Sequence, residues 1–129
     1  MATVPDEIES RIADGKHVAF IGTCTDGHPH VAPLWYRYED GMIEITTTGR
    51  KLENLRTNEH VAFSIQTADE DGMPEWMVSI QGTATVIDDD EASDAGRARI
   101  HEKYGIDADA FSENVLVQID IGTVSYTIF

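Results

Sequence analysis

Cysteine, lysine and long apolar runs are scarce in this 129-residue chain, and each scarcity removes a class of answer. A single cysteine, Cys24, leaves no partner for a disulfide within these residues. It sits in an alternating apolar run, where a thiol packs as a small hydrophobe, and no CxxC pair supports redox chemistry. Three lysines and nine basic residues in all stand against 24 acidic ones, a formal net charge of −15. Phosphate backbones repel such a surface, which argues against nucleic-acid binding, and anionic membranes are disfavoured for the same reason. No apolar run approaches the roughly 18–20 residues of a membrane span, and no charged-then-apolar leader opens the sequence. A soluble, cytoplasmic protein is expected. G-x-S-x-G, Walker and zinc-cluster patterns are missing as well.

The acidity that remains has two readings. Concentrated salt screens like charges to roughly 3 Å at 1 M, so an excess of acids with few lysines suits a salt-adapted, halophilic protein. A generic acidic cytosolic protein has the same balance. The length fits one domain, residues 1–129, which encloses a large ligand most easily with help from a second copy.

Along the chain, Thr3-Val4-Pro5-Asp6 reads as a helix start, with Thr3 as cap, Ile8 and Ile12 on one face and Gly15 as the stop. From His17 the apolar period shortens to that of strands. His17 to Thr25, Pro29 to Tyr38 and Met42 to Thr47 are joined by the Asp26-Gly27 and Asp40-Gly41 turn signals, giving an antiparallel meander. Pro33 cannot donate to a ladder, so its stretch belongs at an edge, a bulge or a ligand. A short helix over 48–56 turns Leu52 and Leu55 inward. Strands follow over His60 to Thr67 and over Trp76 to Ile87, the latter bent at Gly82. Asp88-Asp89-Asp90-Glu91 opens a helix that ends before Gly105. A turn over Asp107–Glu113 leads to a last strand from Val115. Six strands with short helices imply a mainly β, closed or partly closed antiparallel barrel. Periodicity alone does not separate an OB-like barrel, a lipocalin-like cup and a split barrel, though eight lipocalin strands fit poorly in this length.

Two segments carry chemistry. Arg50, Lys51 and Arg56 fall within seven positions, where about half of one basic residue is expected at random. They follow Thr46, Thr47 and Thr48 at a helix start, where unpaired N–H groups, hydroxyls and cations together suit a phosphate. A solvated basic helix face pairing with nearby acids is the competing explanation. The second segment, Pro29-His30-Val31-Ala32-Pro33-Leu34-Trp35-Tyr36, offers an apolar slab, an aromatic wall and backbone groups freed by Pro33, as a flat heteroaromatic ring requires. An ordinary core strand would also read this way. His28 and His30 share a strand face, but spacing supplies no third metal ligand, so no metal site is assigned. No catalytic acid or base stands out.

The ordered series of DG turn, Pro-His-Val-Ala-Pro-Leu-Trp, DG turn, Thr-Thr-Thr-Gly-Arg-Lys and Asn54-Leu55-Arg56-Thr57-Asn58 resembles the pyridoxamine 5′-phosphate oxidase-like flavin-binding family. The resemblance is clearest over residues 16–87. It implies a six-stranded antiparallel split β-barrel, acting as a homodimer with cofactor at the interface. It further implies that Arg50, Lys51 and some of Thr46, Thr47 and Thr48 hold a flavin phosphate. His30, Val31, Ala32, Pro33, Leu34 and Trp35 would line the ring, and Trp76 to Val78 would contribute from the other subunit. Met77 stands where the oxidases often have a ring-contacting Gln. The basic C-terminal substrate grip of true pyridoxamine phosphate oxidases has no counterpart after Lys103. The expected function is an FMN-dependent oxidoreductase on an unidentified small molecule. Alternatives are a deazaflavin-dependent reductase, or a non-catalytic flavin or haem carrier or stress protein, in which His17, His28, His30, His60 or His101 could ligate iron.

Overall fold

The structure, a computed structural model, describes residues 4–129. The expected Thr3 cap lies outside them. Helix α1 (Asp6–Ala13) buries Ile8 and Ile12, one turn apart, and the Pro5 carbonyl accepts its first hydrogen bonds, from Ile8 and Glu9. Strands β1 (Ala19–Thr25) and β2 (His28–Leu34) form a hairpin in which Asp26 and Gly27 take φ of 53° and 78°. Two successive positive φ values suit the right-handed strand twist, which is why Asp-Gly works at this turn. The second Asp-Gly pair repeats the device, with φ of 48° and 79°, between β3 (Arg37–Glu39) and β4 (Met42–Thr47).

Among the described residues there are seven strands rather than the expected six, because the stretch 29–38 is two strands. β2 pairs with β1, β3 pairs with β4, and Trp35 and Tyr36 leave the ladder between them. Tyr36 turns into the core and its hydroxyl donates to the Ile12 carbonyl at 2.6 Å. Its freed backbone carbonyl accepts from Lys103 and from the Tyr104 hydroxyl, both at 3.2 Å. Side-chain partners thus replace the lost ladder bonds of Tyr36.

The break also explains the barrel. The sheet runs β2-β1-β5-β6-β7-β4-β3, with β5 (His60–Ala68), β6 (Pro74–Ile87) and β7 (Val115–Ile128) at its centre. Its two edge strands are therefore joined by only two residues, and the sheet must curl until its edges meet. Ile21, Phe63, Ile80, Ile119, Ile43 and Ile45, from five strands, fill one core closed by α1 and by Leu55 of helix α2 (Gly49–Thr57). At Gly82 the β6–β7 register shifts, as expected of a bend. A Cβ there would lie 2.4 Å from the Asp120 carbonyl oxygen, so glycine is obligatory at that crossing.

Helix α3 (Asp90–Tyr104) starts at the Asp89 cap, whose carboxylate accepts from the Ala92 N–H at 2.8 Å, and ends at Gly105 in the left-handed conformation. It lies on the outer side of β4 and β7, with Gly96 against Leu116. Glu44 pins it there. This carboxylate, buried on β4, receives two hydrogen bonds from Arg99 (3.0 and 2.8 Å) and one from Arg37 (3.2 Å). Burial disfavours its charge, yet Arg99, Gln118 and Arg37 together outweigh burial and hold the carboxyl below its usual range.

Candidate functional site

The end of β2, the β4–α2 junction, the C-terminal half of α3 and the segment before β7 surround a cleft of 470 Å³. Pairing of Thr46 with Leu116 and Thr47 with Val115 sets Glu113 and Asn114 beside the threonines. Pro33, Leu34 and Trp35 supply an apolar wall opposite Thr46, Thr47, Thr48 and Lys51. Two segments singled out separately in the sequence thus meet in one cavity.

Lys51 is the one cation lining the cleft, and among the described residues it makes no ion pair. Thr48 occupies the cap position of α2 without bonding the helix through its side chain, so its hydroxyl remains available. The rest of the basic cluster behaves differently. Arg56 is tied to Asp88 by two hydrogen bonds of 2.7 and 2.8 Å, the structural role that competed with the phosphate reading. Arg50 is exposed and does not line the cleft. Glu113 opposes an anion, since its carboxylate lines the same space without pairing to Lys51.

The aromatic wall is held from behind. Trp35 stacks on Tyr104 at 5.6 Å and meets the edge of Phe111 at 5.9 Å. Tyr104 donates to the His17 carbonyl at 2.6 Å, and burial pushes its phenol above the ordinary range. Lys103 lies 4.5 Å from the centre of the Tyr36 ring, and burial, then Arg37, lower its affinity for a proton. The Tyr104 and Phe111 rings together fix the angle of Trp35.

Other expected site residues lie elsewhere. His30 and Val31 border a different groove of 580 Å³ on the β1–β2 side, together with Cys24 and His60, and Ala32 lines neither space. Trp76 packs into the core, 7% exposed, edge-on to His17 at 5.2 Å. Met77 faces outward at 42% exposure. Among the described residues, no three metal-binding side chains cluster. No helix is long and apolar enough to cross a membrane. Lining residues that sequence reasoning missed are Val18, Ile100, Phe111, Glu113 and Asn114, and it offered His101 only as one of five candidate iron ligands. An isolated aromatic at Phe111, in an otherwise polar turn, was the available signal.

β2 is an edge strand, one of the three placements that Pro33 left open. The outer face beside it is unusual for this chain. Cross-strand rows Pro33–Phe20–Ser64–Ser79–Ser125 and Val31–Gly22–Ala62–Gln81–Thr123 carry no charged residue, although 33 of the 129 residues are charged. Val31 is 67% exposed and Phe20 49%.

Residues 4–127 match the family model described as pyridoxamine 5′-phosphate oxidase. Among solved structures, the chain is similar to an F420 reductase at 20% identity, with a TM-score of 0.78 over 95% of this chain and 98% of that one. It is also similar to an FAD-binding protein from Mesorhizobium loti (20% identity, TM-score 0.72, 97% and 95% covered). A haem storage protein from Vibrio cholerae is a third (16%, 0.74, 95% and 93%). At these identities the likeness establishes the fold. No protein of curated function matches the chain.

Proposed function

The chain belongs to the pyridoxamine 5′-phosphate oxidase family, and from that premise we propose that it is a flavin-binding oxidoreductase with its cofactor in the 470 Å³ cleft. The observation that carries this reading is an unpaired lysine and three threonines facing an apolar, aromatic wall. That donor set fits a molecule with a phosphate at one end and a flat ring at the other. Lys51 holds the phosphate as a point charge, with hydroxyls of Thr46 and Thr48 donating to its oxygens. Pro33, Leu34 and Trp35 would supply the apolar surface for the ring. The free edge of β2 offers backbone donors and acceptors to the ring's polar rim. When bound, a flavin supplies hydride or electron transfer, and the protein contributes binding, orientation and exclusion of water. FMN is the assigned cofactor, because one cation suits one ribityl phosphate. A deazaflavin coenzyme presents similar chemistry to the same residues.

The uncharged sheet face completes the proposal. A second copy is its occupant: at −15 per chain two copies repel, and association needs a face free of charge. Pro33 belongs both to this face and to the cleft, so dimerisation covers the cleft's apolar side. Of Trp76 and Met77, only Met77 is open to a partner. The acid excess then lies on the outside of the dimer, where concentrated salt tolerates it.

The test is to purify the protein natively in high salt, record its visible spectrum and identify any released chromophore by mass spectrometry. A yellow protein releasing FMN or a deazaflavin supports the proposal, and sedimentation equilibrium should give a dimer. A sharp red-brown band from haem overturns it, as does a colourless protein that refuses added FMN.

A further inference from the structure

Helix α3 buries three polar side chains besides its apolar ones, and two of them are satisfied. Ser93 Oγ accepts from the Leu116 N–H at 3.0 Å. Arg97 donates to the Asn114 carbonyl at 2.6 Å and to Asp94. His101 differs. It is 2% exposed and lines the cleft, yet its Nδ1 is sealed from solvent with no hydrogen-bond partner. Buried polar atoms in folded proteins are nearly always paired, and a half-turn of the imidazole exchanges Nδ1 for Cδ2, so a ring on a cleft wall can bring this nitrogen round to a ligand.

A second observation points to the same wall. Phe111, whose ring centre lies 6.2 Å from that of His101, has φ of 56°. A bulky side chain rarely adopts that left-handed conformation, and strain of this kind gathers at ligand clamps. The ring is nevertheless half-exposed, beside Trp35, so packing alone does not account for the strain.

We propose that His101 is a ligand-contacting residue of the cleft, hydrogen-bonding through its ring a polar atom of the bound molecule on the wall that it shares with Phe111. The assignment rests on the flavin reading of the cleft. An imidazole nitrogen donates or accepts according to its tautomer, so either kind of ligand atom satisfies it. Leucine at this position keeps the volume and removes the hydrogen bond, whereas glutamine keeps a donor and an acceptor.

FMN and riboflavin are titrated by fluorescence into the wild type and into His101→Leu, His101→Gln and Lys51→Ala variants, each first shown to be folded by circular dichroism. His101→Leu is expected to weaken FMN binding about tenfold, and His101→Gln by less. An equal loss with riboflavin places the contact off the phosphate, and a loss confined to FMN places it on the phosphate. Should His101→Leu fail to fold, the ring 15N signals of His101 in the wild type are followed instead, and they must move when FMN is added. Wild-type affinity in a folded His101→Leu, or unmoved ring signals, overturns the assignment, while a weakened Lys51→Ala leaves the flavin reading intact. A wild type that binds neither flavin overturns both.

Discussion

Lys51→Ala tests the phosphate end of the cleft most directly, because among the described residues Lys51 is its one lining cation and has no ion pair to lose. A hydrogen bond to a charged group contributes about 1.5–3 kcal/mol. Lys51 is half-buried rather than sealed, so water competes for both partners and the lower part of that range applies. A loss of about 1.5–2 kcal/mol weakens binding roughly 10–30-fold. The assay is a fluorescence titration with FMN and with riboflavin, which has no phosphate, in 0.1 M and in 1 M salt. The FMN loss should shrink at high salt, where the screening length falls from about 10 to about 3 Å. Riboflavin should bind both proteins alike, and Arg50→Ala should change FMN binding little, since Arg50 is exposed outside the cleft. An equal loss for both ligands would refute the reasoning by showing that Lys51 shapes the cleft rather than holding a phosphate. No loss with FMN would refute it too.

Three further outcomes are expected. Glu113→Gln removes the carboxylate that faces the same space as Lys51, so FMN should bind a few-fold more tightly in dilute buffer, with a smaller gain in 1 M salt; isothermal titration measures this. The Glu44 carboxyl is held below its unfolded value, so its stabilisation is complete above the ordinary carboxylate range and is lost as pH falls through the lowered folded value. Urea midpoints between pH 6 and pH 3 should therefore drop more steeply for the wild type than for Glu44→Gln. Gly82→Ala forces a methyl group against the Asp120 carbonyl, which is backbone and cannot swing aside, so a destabilisation above about 2 kcal/mol is expected in thermal melts.

How far the sequence showed this fold depended on the range of each signal. Both Asp-Gly turns, the Asp89 cap region and the Gly105 stop are decided by neighbours within four residues, and all were legible. The split of 29–38 into two strands was not. It depends on Lys103 and Tyr104, nearly seventy residues away, meeting the backbone of Tyr36. Pro33 narrowed its stretch to an edge, a bulge or a ligand, because a missing donor is a local fact with a global consequence, and the edge is what the sheet order shows.

The candidate site divides along the same line. Its β2 and β4–α2 sides announce themselves as clusters, three hydroxyls before a basic pair and an apolar run broken by proline. A cluster cannot say which of its members turns inward, however. Lys51 enters the cleft, Arg50 stays in solvent and Arg56 is drawn away by Asp88, an acid 32 residues further along. The α3 side has no cluster at all. His101 and Phe111 are ten residues apart, in a helix and a turn, and nothing in the sequence pairs them: His101 stands out only as one of five candidate iron ligands. They share a wall only because Gly96 lets α3 settle against Leu116 while Arg97 fastens the incoming strand through the Asn114 carbonyl. This wall is therefore positioned by two residues that do not line it. Substitutions at Gly96 or Arg97 should disturb ligand binding by moving His101 and Phe111, while leaving Lys51 and the threonines where β4 and α2 hold them.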